Sequence, residues 1–141
     1  MSIVRQAGCV AIGGRGVLIE GKPGSGKSSL ALALIDRGAV LVGDDGVVLG
    51  VTGGRLIAAP HPQTAGKLEV RNVGLVEMPT SPPVAIALVI RLDAEAPRFI
   101  DAPEVITIEG VALPLVRLWP DSPVLHLRAE LALRTHGLIL S

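Results

Sequence analysis

Gly16-Val17-Leu18-Ile19-Glu20-Gly21-Lys22-Pro23-Gly24-Ser25-Gly26-Lys27-Ser28 is the stretch that decides the fold. Its first five residues are nearly all apolar, the mark of a central strand buried on both faces. Gly21 to Ser28 fits G-x-x-x-x-G-K-[ST] without a mismatch. Behind it, Leu30, Leu34 and Ile35 supply an apolar stripe at helical spacing, so a helix is predicted from Lys27 to Arg37 with Gly38 as its stop. A strand, a glycine-rich loop and a helix in that order make a phosphate-binding loop. The glycines let backbone N–H groups curl around phosphate oxygens at angles a side chain forbids. Gly21, Pro23, Gly24, Ser25, Gly26, Lys27, Ser28 and Ser29 form the expected cradle. In it Lys27 reaches the β- and γ-phosphates and Ser28 ligates Mg²⁺, while the helix N-terminus aims its amides at the anion.

Working outward, Ala39 to Val42 reads as the next strand and Asp44-Asp45-Gly46 follows it directly. Parallel strands joined by a short helix usually neighbour each other in a sheet, which brings Asp44 to the sheet edge that holds the loop, where open α/β folds bind ligands. A carboxylate there can hold Mg²⁺ or accept a proton from an attacking hydroxyl. Asp45-Gly46 is equally good chemistry for a hairpin turn into Val47 to Val51. Gly53-Gly54 turns into Arg55 to Ala59, Pro60 to Lys67 is a loop, and Leu68 to Met78 is strand or loop. Val84 to Leu92 is a buried strand. Val105 to Ile108 and Val111 to Val116 form a hairpin around Glu109-Gly110. A last helix runs from Ser122 to Arg134, with Ser122 as N-cap and Pro123 in first position. At the other end, Ile3 to Ile12 reads as one strand. The fold class is α/β, a strand-rich sheet with few helices.

Composition narrows the functions. The chain has 141 residues, 13 basic and 13 acidic side chains, and one Cys. This length favours a single domain over residues 1–141. Phe99 and Trp119 are its only aromatics, and the formal charge is zero. Single-stranded nucleic-acid binding, which relies on aromatic platforms, and duplex binding, which needs a basic face, are therefore both disfavoured. The mean hydropathy is +0.55, yet the longest clean apolar run, Val84 to Ile90, is far short of the about 20 residues that cross a bilayer. No apolar run marks the first 14 residues as a signal peptide, and a lone Cys9 fits a reducing compartment. No membrane and no nucleic acid are expected as partners, and the cytoplasm is the expected location. His61, His126 and His136 match no metal spacing. Arg91, Arg98, Arg117, Arg128 and Arg134 are scattered and read as surface charge. Trp119 reads as capping an edge of the core or a subunit contact.

Gly16 to Leu32, then Asp36-Arg37-Gly38 and Leu41-Val42-Gly43-Asp44-Asp45, resemble the catalytic domain of the HPr kinase/phosphorylase family. Ala65-Gly66-Lys67-Leu68-Glu69-Val70-Arg71 resembles that family's second signature. The likeness covers roughly residues 6 to 120 and is to the short bacterial form lacking the N-terminal domain. It implies a P-loop nucleotide-binding domain with the phosphoenolpyruvate carboxykinase-like fold. It also implies Mg²⁺-assisted transfer from ATP to a serine of the phosphocarrier protein HPr, a reverse reaction consuming inorganic phosphate, and a homo-oligomer, commonly a hexamer. By position, the resemblance makes Lys27 the phosphate ligand and Ser28 a metal ligand. Asp44 becomes the general base, Asp45 a second active-site carboxylate, Glu69 a metal-site carboxylate, and Arg71 part of the loop closing over the nucleotide. Two departures stand out: Gln6 occupies the place of a family His upstream of the loop, and Asn72 that of a Gly in the second signature. A neutral amide cannot relay a proton, so weak phosphorolysis is expected. A nucleotide-binding sensor without turnover, or a small-molecule kinase or NTPase, is the alternative that the residues leave open.

Overall fold

A computed structural model describes residues 2–140. Eleven strands and two helices follow one another along them: β1 (Ser2–Arg5), β2 (Gly8–Ile12), β3 (Arg15–Glu20), α1 (Lys27–Asp36), β4 (Val40–Gly43), β5 (Val47–Thr52), β6 (Arg55–Pro60), β7 (Lys67–Val70), β8 (Gly74–Glu77), β9 (Val84–Leu92), β10 (Glu104–Ile108), β11 (Val111–Leu118) and α2 (Leu125–His136). Nine strands share one sheet in the order β1-β5-β6-β9-β3-β2-β4, with β11 also beside β9 and β10 beside β11. β7 and β8 form a separate two-stranded ribbon. This is the strand-rich α/β architecture with two helices that the sequence predicts.

β3 and β9 lie side by side and parallel at its centre. Their Val, Leu and Ile runs are buried on both faces. Val17 and Ile19 face one apolar cluster with Leu30 and Leu34 of α1 and Leu125, Ala129 and Leu133 of α2. Leu18 faces the other, with Leu49, Leu56, Ile86 and Val89. Alternation along β3 thus splits the core into a helix-covered layer and a layer closed by the sheet's own curl. Beside Gly16 the β3–β9 register slips, and a Cβ there would press on Ile86 Cδ1 at 2.7 Å and the Ala85 carbonyl at 3.1 Å.

α1 starts and stops as its glycines dictate. Gly26 (φ 102°) is its N-cap, and Gly38 (φ 107°) leaves the right-handed turn while its amide and that of Ala39 donate to the carbonyls of Ile35 and Leu34. Arg37 Nε pairs with Glu130 Oε1 at 2.7 Å, tying α1 to α2.

Four expectations need correction. Ile3 to Ile12 is two strands, because the chain turns at Arg5–Ala7, where the Ala7 amide donates to the Arg5 carbonyl. β1 then pairs with β5 and β2 with β3 and β4. β4 is not the neighbour of β3: β2 inserts between them. Being antiparallel to β2 on either side, β3 and β4 still point the same way, so Asp44 does reach the edge that holds the loop. Asp45-Gly46 is no hairpin, since β5 pairs with β1 and β6 rather than β4. Asp45 is left-handed (φ 62°) and steers the chain into another part of the sheet. Finally, α2 begins at Leu125 with Val124 as its N-cap. Ser122 Oγ, two residues before that cap, instead accepts the Val124 amide at 3.2 Å in a local turn.

Candidate active site

The edge formed by the C-terminal ends of β3, β4 and β9 carries the glycine-rich loop. Gly24 (φ 79°) and Gly26 (φ 102°) take left-handed angles, which side chains rarely adopt. Gly21 is required for space, because a Cβ there would run into Ser25 Oγ and Leu92 Cβ. Lys27 Nζ folds back over the loop and donates to the carbonyls of Gly21 (2.9 Å) and Lys22 (3.2 Å). With three donors on the ammonium, one remains for an anion in the loop. Ser25 Oγ is buried without a hydrogen-bond partner. Buried hydroxyls are normally satisfied, and this one leaves its hydrogen-bonding capacity free beside the loop.

Asp44 bridges three elements. Its Oδ1 accepts the Ser28 hydroxyl at 2.7 Å, and its Oδ2 accepts the Glu69 amide at 2.9 Å. The first bond reaches α1 and the second reaches β7, so one carboxylate fixes the ribbon against the loop. Gly43 just before it is packed tightly, with the Gly46 carbonyl and Val47 Cγ1 where a Cβ would stand. The ribbon turns at Asn72, in the left-handed region (φ 69°). That is the conformation a glycine would supply, and asparagine is among the few other residues that tolerate it.

Lys27, Ser28, Ser29, Asp44, Asp45, Glu69 and Arg71 come together around one cavity of about 230 Å³, with Pro23, Gly24 and Gly26 at its rim. Every predicted site residue lies there except Gly21 and Ser25. Those two lie across the loop, facing a larger cavity of about 820 Å³ that Gln6 also lines. Glu69 lines the smaller cavity while its amide holds Asp44. Residues 91–95 and Pro120 on the larger cavity escaped sequence reasoning. The available signal was the end of the buried strand β9, since ligands gather at the carboxyl ends of parallel strands.

A basic and acidic array borders the larger cavity. Glu20 accepts from Arg91 at 2.9 Å and pairs with Arg5. Arg117 donates to Asp93 at 3.1 Å and Glu104 at 2.7 Å. The Glu95 amide, and with it Arg117, holds the Asp93 carboxyl below its ordinary value. The Arg117 guanidinium does the same for Glu104. The scattered arginines are thus partly in specific pairs. Trp119 is anchored by Nε1–H to the Ala96 carbonyl at 2.6 Å and lies under Arg128, 5.8 Å from its ring centre. His61 accepts the Gln63 amide in its loop. No helix among the described residues is long and apolar enough to cross a membrane.

Known proteins resemble this chain in sequence and fold. The family model for the HPr Serine kinase C-terminal domain matches residues 2–92. An HPr kinase/phosphorylase of Clostridium tetani is 45% identical over 71 residues, 50% of this chain and 23% of that protein. One from Limosilactobacillus reuteri is 34% identical over 120 residues, 76% of this chain and 38% of that protein. The chain therefore spans well under half the length of these curated relatives. The solved structure of the Hpr(Ser) kinase/phosphatase from Coxiella burnetii superposes with a TM-score of 0.84 at 28% identity, covering 94% of this chain and 88% of that one.

Proposed function

The chain belongs to the HPr serine kinase C-terminal domain family, and from that membership we propose that it transfers the γ-phosphoryl group of ATP, with Mg²⁺, to a serine of the phosphocarrier protein HPr. The observation that carries the reading is the Ser28–Asp44–Glu69 chain of hydrogen bonds beside the glycine loop. It sets a carboxylate next to the hydroxyl that follows the phosphate-binding lysine.

The Ser28 hydroxyl and the Asp44 carboxylate, hydrogen-bonded to each other, would offer a hard cation its protein oxygens, with Asp45 and Glu69 lining the same cavity. Among the described residues no three His, Cys, Asp or Glu side chains form a metal site by themselves, so the remaining ligands would have to come from substrate phosphates and water. When bound, the ion neutralises charge on those phosphates. Lys27 and the loop amides hold the same oxygens, and Arg71 adds a guanidinium from the ribbon. Asp44 accepts the proton of the attacking serine hydroxyl. As that oxygen bonds to the γ-phosphorus, the bond from phosphorus to the ADP oxygen breaks. The work is positioning and charge compensation more than covalent chemistry.

Incubation with labelled ATP, Mg²⁺ and HPr should label one serine of HPr. Asp44→Asn should leave nucleotide binding within about threefold and slow transfer by about 10²–10⁴, the usual worth of a positioned base. Transfer at the wild-type rate would remove Asp44 from that role. Gln6 in the place of the family histidine supports a weak reverse reaction, because an amide cannot relay a proton. Rapid release of phosphate from serine-phosphorylated HPr by inorganic phosphate would contradict this. Gln6 also favours the second reading, a nucleotide sensor without turnover, which predicts ATP binding and no labelled acceptor.

A further inference from the structure

Resting on the nucleotide reading above, we infer that the nucleoside half of the nucleotide lies in the cavity of about 820 Å³ on the far side of the glycine loop, walled by Leu92, Ala94, Glu95 and Pro120 with Gln6 and Lys22. Size decides first. Small-molecule sites run to roughly 300–1,000 Å³. The cavity around Asp44, about 230 Å³, takes phosphates, an ion and a serine side chain but has no room for a base and ribose as well. The larger one does. Pro23 and Gly24 line both, so the loop is a ridge with a cavity on each flank, and a polyphosphate lying on the ridge ends in both.

Charge decides second. Four ionic side chains on the larger cavity are already matched within the chain: Glu20 by Arg5 and Arg91, and Arg117 by Asp93 and Glu104. Such a wall offers little to a second polyanion and suits the neutral half of a nucleotide. Leu92, Ala94 and Pro120 give apolar surface for a base. Gln6 presents both donors and an acceptor, and Glu95 a carboxylate that only accepts; neither side chain is engaged in a hydrogen bond among the described residues. Lys22 sits at the loop end, near enough to Asp93 to help hold that carboxyl down. Residues 93–95 and Pro120 lie beyond the family-matched segment 2–92, so this wall is where base preference is free to be this chain's own.

Ala94 is exposed in the turn after β9, and Ala94→Trp fills the cavity from outside the loop. Gln6→Trp fills it from another element. Titration calorimetry should show each folded variant binding ATP and ADP about tenfold or more weakly, with inorganic tripolyphosphate bound as by the wild type. Unchanged ATP binding in both variants overturns the inference. So does equal weakening of ATP and tripolyphosphate, or a wild type that binds the two with the same affinity. If the wild type binds neither, the phosphate-loop reading fails and this one with it.

Discussion

Asp44 spends both oxygens on neighbours 16 and 25 residues away, and its side chain is the hinge pin between loop and ribbon. That pairing was invisible in the chain, where Asp-Asp-Gly is equally a turn. Ser25 offers the sharper test at this scale. Its orphaned Oγ costs stability unless a ligand uses it, so Ser25→Ala should leave the melting temperature unchanged or higher while ATP affinity falls several-fold. A lowered melting temperature with unaltered affinity would show that the hydroxyl serves the fold. Cys9 shows the opposite case. It is fully buried in the second cluster, and burial pushes its thiol far above the ordinary value. An aromatic disulfide reagent should leave the native protein unmodified and react with one thiol per chain once denaturant is added. The glycines of the loop, with Lys27 and Ser28, were legible because their pattern is local. Glu69 and Arg71 were reached only through the family resemblance, because strand alternation alone cannot say which side meets a site.

At the scale of elements, the strand, loop and helix of residues 15–36 follow from local pattern, and α1 falls within one residue of its predicted end. Leu34, fully buried between α1 and the sheet, should lose about 2–5 kcal/mol of unfolding free energy as Leu34→Ala, read by denaturant titration. β10, β11 and the turn after β9 are joined differently, by Arg117 between Asp93 and Glu104. Both carboxyls are held below their ordinary values of 3.8 and 4.5. A depressed carboxyl stabilises the folded state above its ordinary value and loses that contribution as pH falls through the folded one. Thermal stability should therefore be flat near neutrality and fall below about pH 4.5, and Glu104→Gln should shrink that acid-side loss. An identical profile in the variant would mean that the pair contributes nothing. Hairpins were legible where a Gly-rich turn joined two runs, as at Gly53-Gly54 and Glu109-Gly110. The break at Arg5–Ala7 was not, since each flanking run has strand character and the split only serves two different partners.

Across the whole molecule, β9 is the shared member: β6 borders its first residues, β11 its last, and β3 its opposite edge. That junction places β3 and β9 ends together and opens a cavity on each flank of the loop. Filling one flank should separate nucleoside from phosphate affinity, whereas Asp44→Asn on the other should separate binding from transfer. Residue order by itself determined the glycine-rich loop, the helix behind it and the aliphatic core. These are short-range properties: backbone angles only glycine takes freely, and periodicity. Only the tertiary structure decided that β2 comes between β3 and β4, that Asp44 joins Ser28 to the Glu69 amide, and that Gln6 and Asp44 lie on opposite flanks of the loop. Strand partners are chosen by burying both faces of a sheet at once. That choice is made among residues far apart in the chain, where no local pattern reaches.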